Sequence, residues 1–360
     1  GGRAEYHGVS GAAIVQARDR LGAQPMEAIF AYTADVWALA AAEADLWHGL
    51  SLFGVDGTTL RVADTLQNQA YFGRPPSASH RGRSGYPQTR MVAVMALRSH
   101  LLLGAAIGPY REAETALARR LWHLIPDDSL TILDRGYIDY GLLMRIVRGG
   151  ANRHYLTRAK KNLRWTVVEY LGPDDYLVEV PTTGAARRRE PQLGKVMVMR
   201  AVRYQRKGFQ PVWLLTSLVE PAMFPADDVR AMYHERWEIE LGFDEIKTHT
   251  LDREECLRSK SPERVKQEIW GLLIAYNLVR LQIKRFADAN GVSPRRISYR
   301  TTLIIVRNTC VCASLGTGSQ KKLLDSMNAE MTAMLLPERR DRRYPRQVKI
   351  KMSNYAKNNG

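Results

Sequence analysis

Short apolar runs bounded by polar or turn-forming residues constrain the fold of this chain more than any other feature. Three of them, at 91–97, 101–107 and 129–134, are only six or seven residues long. Runs of that length and with those boundaries suit buried strands. A fourth run, at 52–56, ends in Asp-Gly and is followed by a β-prone stretch, which predicts a strand, a tight turn and a second strand.

Helical patterns lie around these runs. We predict helices at residues 10–50, 111–124 and 139–148. The first would be a small helical region that precedes the strands, and the last would have Asp139 as its N-cap. The segment 262–287 is predicted to be a long amphipathic helix with a cationic C-terminal end. A chain of 360 residues is long enough to bury a full hydrophobic core around these elements.

Residues 151–216 have a different pattern. Short β-prone stretches alternate there with Gly, Pro and charge clusters, including three consecutive arginines at 187–189, and this predicts a β-rich insertion. Trp165 and Trp213 lie in this insertion, where either could stack on an unpaired base. Tryptophans of this kind are more often core residues, so core packing is the default interpretation.

Two aspartates follow strand-like runs. Asp134 ends the run at 129–134 and is followed by Arg-Gly-Tyr, an arrangement typical of sites built on α/β sheets. Asp56 precedes Gly57, and Asp-Gly is a common hairpin signal, so a turn alone explains Asp56 better than chemistry does.

The segment 233–247 supplies a third acid. On an α-helix at about 100° per residue, Tyr233, Arg236, Glu240 and Lys247 fall within roughly 60° of one another. Asp244 lies on the same stripe and is the rival acid. Taken alone, the stripe is a solvated salt-bridge ladder. Two upstream aspartates change that interpretation, because three acids in one cleft repel and need a cation between them.

Magnesium is the cation that three such carboxylates favour. Mg²⁺ takes oxygen ligands, with Mn²⁺ expected to substitute, and two ions ~4 Å apart can activate an attacking oxygen and stabilise a leaving one. The chemistry predicted for Asp56, Asp134 and Glu240 is phosphodiester hydrolysis or transesterification on DNA. The histidines lack zinc-ligand spacing, and without a Walker loop no nucleotide cofactor is expected.

The charge balance favours a nucleic-acid partner. The formal net charge is +16, and the rival interpretation, an acidic membrane surface, lacks a hydrophobic anchor or lipidation motif. The loop 73–90, with Arg81 and Arg83, and the tail from Pro337, with Arg342 and Arg343, are predicted to face phosphates.

The three cysteines are too few and too poorly spaced for a disulfide framework or a zinc cage, which predicts a reducing, cytoplasmic setting, with nucleoid association when the protein is bound to DNA. No apolar run approaches the ~18 residues of a membrane span. The chain opens with Gly-Gly rather than Met, so we expect its natural N-terminus to have been removed.

These residues resemble a known family. The chain is similar to bacterial insertion-sequence transposases of the DDE class, in the family named after insertion element four. The hallmark of that family is Tyr, two residues, Arg, three residues, Glu, six residues and Lys, matched here by Tyr233, Arg236, Glu240 and Lys247. The resemblance extends to DGTTLRVADTLQNQAYFGR around Asp56, to LTILDRGY, and to the basic tail RRYPRQVKIKMSNY.

The resemblance implies an α/β fold with an RNase H-like catalytic core, a mixed five-stranded sheet flanked by helices, and a β-rich insertion before the third acid. The expected divisions are a helical N-terminal segment at 1–50, from which most of the DNA-binding region is missing, core parts at 51–150 and 221–290, the insertion at 151–220, and a basic C-terminal region at 291–360.

It also implies site residues and partners. Asp56, Asp134 and Glu240 would form the metal-binding catalytic triad, and Asp244 would drop out. Tyr233, Arg236 and Lys247 would contact phosphates of the transposon end, and Trp213 is the candidate for stacking near a flipped base. The expected partner is double-stranded DNA, both terminal inverted repeats and target DNA, bound by a homodimer with no membrane association.

Three functions follow from the sequence. The main hypothesis is cut-and-paste transposition, with metal-dependent nicking at the element ends and attack of the freed 3′-hydroxyl on target DNA. A domesticated or inhibitory DNA-binding relative without catalysis is the second, and the presence of all three acids argues against it. The third is a general RNase H-like endonuclease, disfavoured because the Tyr/Arg/Lys stripe and basic tail suit a defined DNA end.

Overall fold

A computed structural model describes residues 9–76, 85–205, 210–251, 256–316 and 319–337. Four predicted DNA contacts lie outside these ranges: Arg81, Arg83, Arg342 and Arg343.

Two helices precede the sheet, as the sequence predicts. Helix α1 spans Gly11–Leu21, and α2 spans Gln24–Glu43. The buried face of α2 consists of Phe30 followed by alanines, and small residues let a helix lie close to its neighbours. The Phe30 ring lies 5.2 Å from that of Trp270 on a later helix, which ties the start of the chain to its second half.

A mixed sheet forms the centre of the molecule. Its first five strands are β1 Ser51–Arg61, β2 Gln88–Ala96, β3 Leu102–Pro109, β4 Ser129–Leu133 and β5 Arg153–Arg158. They lie in the order β3-β2-β1-β4-β5. Strands β1, β4 and β5 are parallel, and β2 pairs antiparallel with both β1 and β3. The runs at 91–97, 101–107 and 129–134 are confirmed as strands, and the α/β, RNase H-like fold class is confirmed.

The β-rich part of the chain extends the same sheet. After β5 come the antiparallel strands β6 Thr166–Gly172, β7 Asp175–Pro181, β8 Val196–Tyr204 and β9 Val212–Thr216. Strand β9 pairs antiparallel with β5, so nine described strands form one sheet, in the order β3-β2-β1-β4-β5-β9-β8-β7-β6.

The hairpin predicted at Asp56-Gly57 is wrong. Strand β1 runs straight through both residues, and Phe53 to Arg61 pair in unbroken antiparallel register with β2. A Cβ on Gly57 would lie 2.7 Å from the carboxyl carbon of Glu114, so a side chain at this position would require the Glu114 side chain to move. The β-prone residues after Gly57 then continue the strand.

The remaining helices cover both faces of the sheet. They are α3 Leu66–Phe72, α4 Glu114–Arg119, α5 Tyr140–Arg148, α6 Gly184–Arg189, α7 Ala226–His234, α8 Trp237–Asp244, α9 Pro262–Asn290, α10 Tyr299–Ser314 and α11 Gln320–Ala333. Asp139 caps α5 by accepting from two backbone amides, as predicted. Within the described part of the chain, no helix is long and apolar enough to cross a membrane.

Alternation along the strands builds two cores. Leu52, Ala93 and Met95 point to the face covered by α8 and α9, whereas Phe53 and Val94 point to the face covered by α4 and α5. Because successive side chains of a strand point to opposite faces, a residue's position in β1 decides which helices it meets.

The segment 233–247 is not the uniform α-helix that the sequence predicts. Backbone amides of Glu235, Arg236 and Glu238 bond three residues back, which tightens the chain between α7 and α8. A π-helical turn at Glu245–Thr250 then loosens it. Both departures rotate side chains away from a fixed 100° spacing, so the contacts of Lys247 do not follow from the helical wheel.

Candidate active site

Strand register places two of the predicted acids in one row. Val55 of β1 pairs with Leu133 of β4, and Leu133 pairs in turn with Thr157 of β5. The next residues along these parallel strands are Asp56, Asp134 and Arg158. Parallel strands end at the same edge of a sheet, so the two carboxylates and the guanidinium follow one another across three neighbouring strands.

The third acid lies on the helix that covers this face. Ile239 and Phe243 of α8 are buried against the sheet, while Glu240 between them is half-buried. Gly242 permits the close approach of α8, because a Cβ on it would lie 2.3 Å from Cε of Met95 on β2.

Arg236 lies between acids of the strand and the helix. Its guanidinium is 2.9 Å from Oε1 of Glu240 and 3.8 Å from Oδ2 of Asp56. Burial opposes its charge, but Tyr233, Glu240 and Asp134 outweigh burial and raise the pKa of Arg236. A buried cation is therefore held between Asp56 and Glu240, where the charge of Asp134 also acts on it.

The protein environment disfavours the ionised form of Asp56. Burial raises its pKa to about 6, and the negative charges of Asp134 and Glu240 add to that rise. The Gly57 amide, which donates to Oδ1 at 2.8 Å, and Arg236 act in the opposite direction. Asp56, Asp134 and Glu240 are thus electrostatic neighbours, as the sequence predicts.

The donor set fits a hard divalent cation in its chemistry, since it consists of carboxylate oxygens with partial access to solvent. Among the described residues, no group of three or more His, Cys, Asp or Glu side chains is gathered closely enough to hold a metal ion. Arg236 lies between Asp56 and Glu240 and is the group that these two carboxylates contact.

The predicted DNA-contacting stripe is partly assembled. Tyr233 is buried beside Arg236, Asp134 and Arg158, and burial raises the pKa of its hydroxyl. Lys247 lies on the π-helical turn, where burial lowers its pKa and the charge acting on it is that of Asp244. Tyr233, Arg236 and Glu240 therefore come together, whereas Lys247 lies next to Asp244.

Sequence reasoning missed Arg158. The signal was present, because Arg153–Arg158 is a short β-prone run that ends in a cation. Its importance depends on the parallel pairing of β5 with β4, which the sequence did not reveal since the run was assigned to the insertion.

Sequence reasoning also missed Tyr137 and Glu114. Tyr137 is buried, its hydroxyl donates to Glu114 over 3.5 Å, and the charges of Asp56 and Asp134 contribute to raising its pKa. Only the tertiary structure brings Glu114 of α4 to this side of β1.

Trp213 is part of an aromatic cluster. On β9 it is half-buried, with ring centroids 5.7 Å from Trp165 and 5.8 Å from Tyr176. This packing agrees with the default core interpretation, and a role for Trp213 in base stacking stays a prediction.

Comparison with known proteins places this geometry in a family. The family described as "Transposase DDE domain" matches residues 47–278, a range that includes all three acids. The chain is similar to the transposase InsG for insertion sequence element IS4 of Escherichia coli strain K12. The two are 37% identical over 351 residues, which cover 96% of this chain and 78% of that protein.

Among solved structures, the chain is similar to a piggyBac transposase in a synaptic complex with hairpin DNA. That match has a TM-score of 0.42 and 10% identity, and it covers 82% of this chain and 60% of that one. The match in sequence covers nearly the whole chain. The chain therefore belongs to the DDE transposases, in the family of insertion element IS4.

Proposed function

We propose that this transposase moves its element by a cut-and-paste reaction. Asp56, Asp134 and Glu240 are the catalytic acids and the metal ligands. The reaction is strand cleavage at the ends of the element, followed by attack of the freed 3′-hydroxyl on a phosphodiester of target DNA. The observation that supports this most directly is the position of Arg236 between Asp56 and Glu240, with Asp134 next to Asp56 in the strand register.

The three carboxylates would hold divalent cations, Mg²⁺ or Mn²⁺. Two such ions supply activation of the attacking oxygen and stabilisation of the leaving one. Asp56 and Asp134 lie in one register row, directly after the last β1–β4 pair, so the backbone fixes their spacing, whereas Glu240 reaches them from α8. Arg236 holds Glu240 beside Asp56 and neutralises part of their mutual repulsion.

The cations around the acids would bind the DNA backbone. Arg158 ends β5 next to Asp134 and Tyr233, and we assign it to the phosphate beside the scissile bond, together with Tyr233 and Arg236. Guanidinium groups bind phosphate through paired hydrogen bonds, which suits a site that must orient one phosphodiester. Lys247 would contact a phosphate further along the strand.

Other parts of the chain would bind DNA outside this centre. Arg81, Arg83, Arg342 and Arg343 are proposed backbone contacts, and Trp213 is proposed to stack on an unpaired base. We propose a homodimer in the DNA complex, because two ends of one element have to be cut and joined in one reaction.

The test is cleavage of a labelled duplex that carries an end of the element, without nucleotide in the buffer. Glu240→Gln removes a metal ligand and a negative charge, so it should abolish cleavage and leave the Kd for DNA unchanged or lower. Asp244→Asn is the matched control: it removes an exposed acid four residues away and should retain cleavage.

The two alternatives predict different results in the same assay. A non-catalytic DNA-binding relative would bind the duplex and never cut it with any metal. A general endonuclease would cut unrelated duplexes as well as the element's end. Cleavage by Glu240→Gln at the wild-type rate would remove Glu240 from the site.

A further inference from the structure

A polar network is buried on the side of α8 away from the candidate active site. Its members are His100 in the turn between β2 and β3, Glu238 on α8, Glu245 at the start of the π-helical turn, and Arg280 on α9. His100 is 1% exposed and Arg280 is 2% exposed. Groups of this kind lose hydration on burial and are retained only where their hydrogen bonds are well made.

The hydrogen bonds of His100 assign its tautomer. Arg280 can only donate, and its Nη2 lies 2.7 Å from Nδ1 of His100, so Nδ1 accepts. Nε2 then bears the proton and donates to Oε2 of Glu238 at 2.8 Å. A neutral imidazole thus links the guanidinium of α9 to a carboxylate of α8.

Glu245 is held in the same way. Arg280 is ion-paired with it, and the hydroxyl of Tyr276, also on α9, donates to its Oε2 at 3.2 Å. Burial alone would raise the pKa of Glu245, but the ion pair with Arg280 acts against burial and lowers it. Glu245 is therefore a half-buried, ionised anchor.

These two carboxylates bracket Glu240 in the chain. Glu238 lies two residues before it and Glu245 five residues after it, at opposite ends of α8. Helix α8 is only eight residues long and is flanked by a tightened turn and a π-helical turn. Side-chain contacts orient it instead: Ile239 and Phe243 pack on the sheet, and Glu238 and Glu245 bind the polar network.

The turn that provides His100 is itself unusual. His100 has φ +61, in the left-handed region that non-glycine residues seldom occupy. Such a backbone conformation persists only where surrounding contacts hold it in place. The two hydrogen bonds of the His100 ring are such contacts.

We propose that His100 and Arg280 are positioning residues, which fix α8, and with it Glu240, relative to Asp56 and Asp134. The inference rests on the catalytic role proposed for Glu240. Catalytic groups have to be held within about 0.5 Å of their productive positions. His100 and Arg280 achieve this from behind the helix without contacting DNA or metal.

The test compares His100→Asn with His100→Gln. Asparagine tolerates the left-handed backbone but is too short to reach Glu238, whereas glutamine places an amide nitrogen near the position of Nε2. For His100→Asn we expect the rate of end cleavage at saturating DNA to fall about 10-fold or more, because a small misplacement of a catalytic group has that effect. The Kd for DNA should stay within about 2-fold, and His100→Gln should recover most of the rate.

The control is Asp175→Asn. Asp175 is ion-paired at 2.5 Å with the fully buried Arg200 in the strands β7 and β8, away from α8. It should lower the melting temperature as much as His100→Asn while leaving the cleavage rate unchanged. Should His100→Asn fail to fold, Arg280→Lys takes its place, since lysine keeps the charge but its nitrogen stops short of the Nη2 position.

The proposal is overturned if His100→Asn cleaves at the wild-type rate, if its rate falls only in step with DNA binding, or if Asp175→Asn loses as much rate. Failure of the proposed function is separate: wild-type protein would not cleave, or Glu240→Gln would cleave as well as wild type.

Discussion

At the scale of a single residue, the burial of Asp56 opposes the ionised form that the proposed chemistry needs. Its ordinary pKa of 3.8 is raised to about 6, so the folded protein holds the proton to a higher pH than the unfolded chain does. A raised folded pKa gives stability that is present below the unfolded value and is lost as the pH rises through the folded value. The ionised carboxylate of Asp56 therefore destabilises the folded protein.

We predict that this conflict is measurable in unfolding experiments. With EDTA present, the free energy of unfolding of wild type relative to Asp56→Asn should fall by about 3 kcal/mol between about pH 4 and pH 7. Urea denaturation at several pH values measures it. A difference that does not change with pH would mean that Asp56 ionises as freely in the folded protein as in the unfolded chain.

At the scale of individual residues, the sequence predicts only part of the candidate site. The three acids, Arg236 and Tyr233 lie in short motifs that match a family, so the resemblance predicts them as site residues. Without it, Asp56 would be assigned to a turn and the Tyr233/Arg236/Glu240 stripe to a salt-bridge ladder. Arg158 is different, because its importance comes from the register between β4 and β5 rather than from its neighbours in the chain.

At the scale of elements, helix α8 lies on the sheet at a distance that Gly242 allows. We predict that Gly242→Ala lowers the free energy of unfolding by about 1–3 kcal/mol, because the new methyl group would overlap Met95 and Tyr276. Cleavage should fall by more than the stability loss explains, since the helix with Glu240 is displaced from the sheet.

Gly271→Ala on α9 is the matched control for that prediction. A Cβ there has only an ordinary contact at 3.8 Å with Met26, and alanine is the better helix former, so we expect a neutral or slightly stabilising change. Thermal unfolding and end-cleavage assays of both variants test this prediction. Equal behaviour of the two alanines would show that α8 is not tightly packed on the sheet.

Local sequence predicts some of the helices and strands and not others. Strands β2, β3 and β4 are predictable because short apolar runs leave few alternatives. The continuous β1 is not, because Asp-Gly is a local turn signal, and only the pairing with β2 carries the strand through it. The tightened and π-helical turns around α8 have no local signal, since helix propensity does not distinguish them from a regular helix.

At the scale of the whole molecule, the net charge of +16 is the most general statement about the partner. The basic tail contributes to it, and we predict that removing residues 337–360 weakens DNA binding and flattens its salt dependence. Each phosphate that the tail no longer neutralises should reduce the slope of log K against log salt by about 0.9. Binding isotherms at several salt concentrations measure this, and an unchanged slope would mean that the tail does not contact DNA.

The arrangement of the whole sheet is predictable only in part. The resemblance implies five mixed strands and a β-rich insertion, but not that the insertion continues the same sheet beyond β5. That continuity depends on the pairing of β9 with β5, a contact between segments about 60 residues apart that no local pattern encodes.

One assay decides whether the three acids form a metal-dependent catalytic centre. It is end cleavage by the full chain in Mg²⁺ and in EDTA, beside the variant Asp134→Ala. We expect cuts at the element boundary that require the metal and disappear in the variant, with DNA binding retained. Cleavage that persists in EDTA or in Asp134→Ala would be incompatible with the assignment of Asp56, Asp134 and Glu240 as metal-binding catalytic residues.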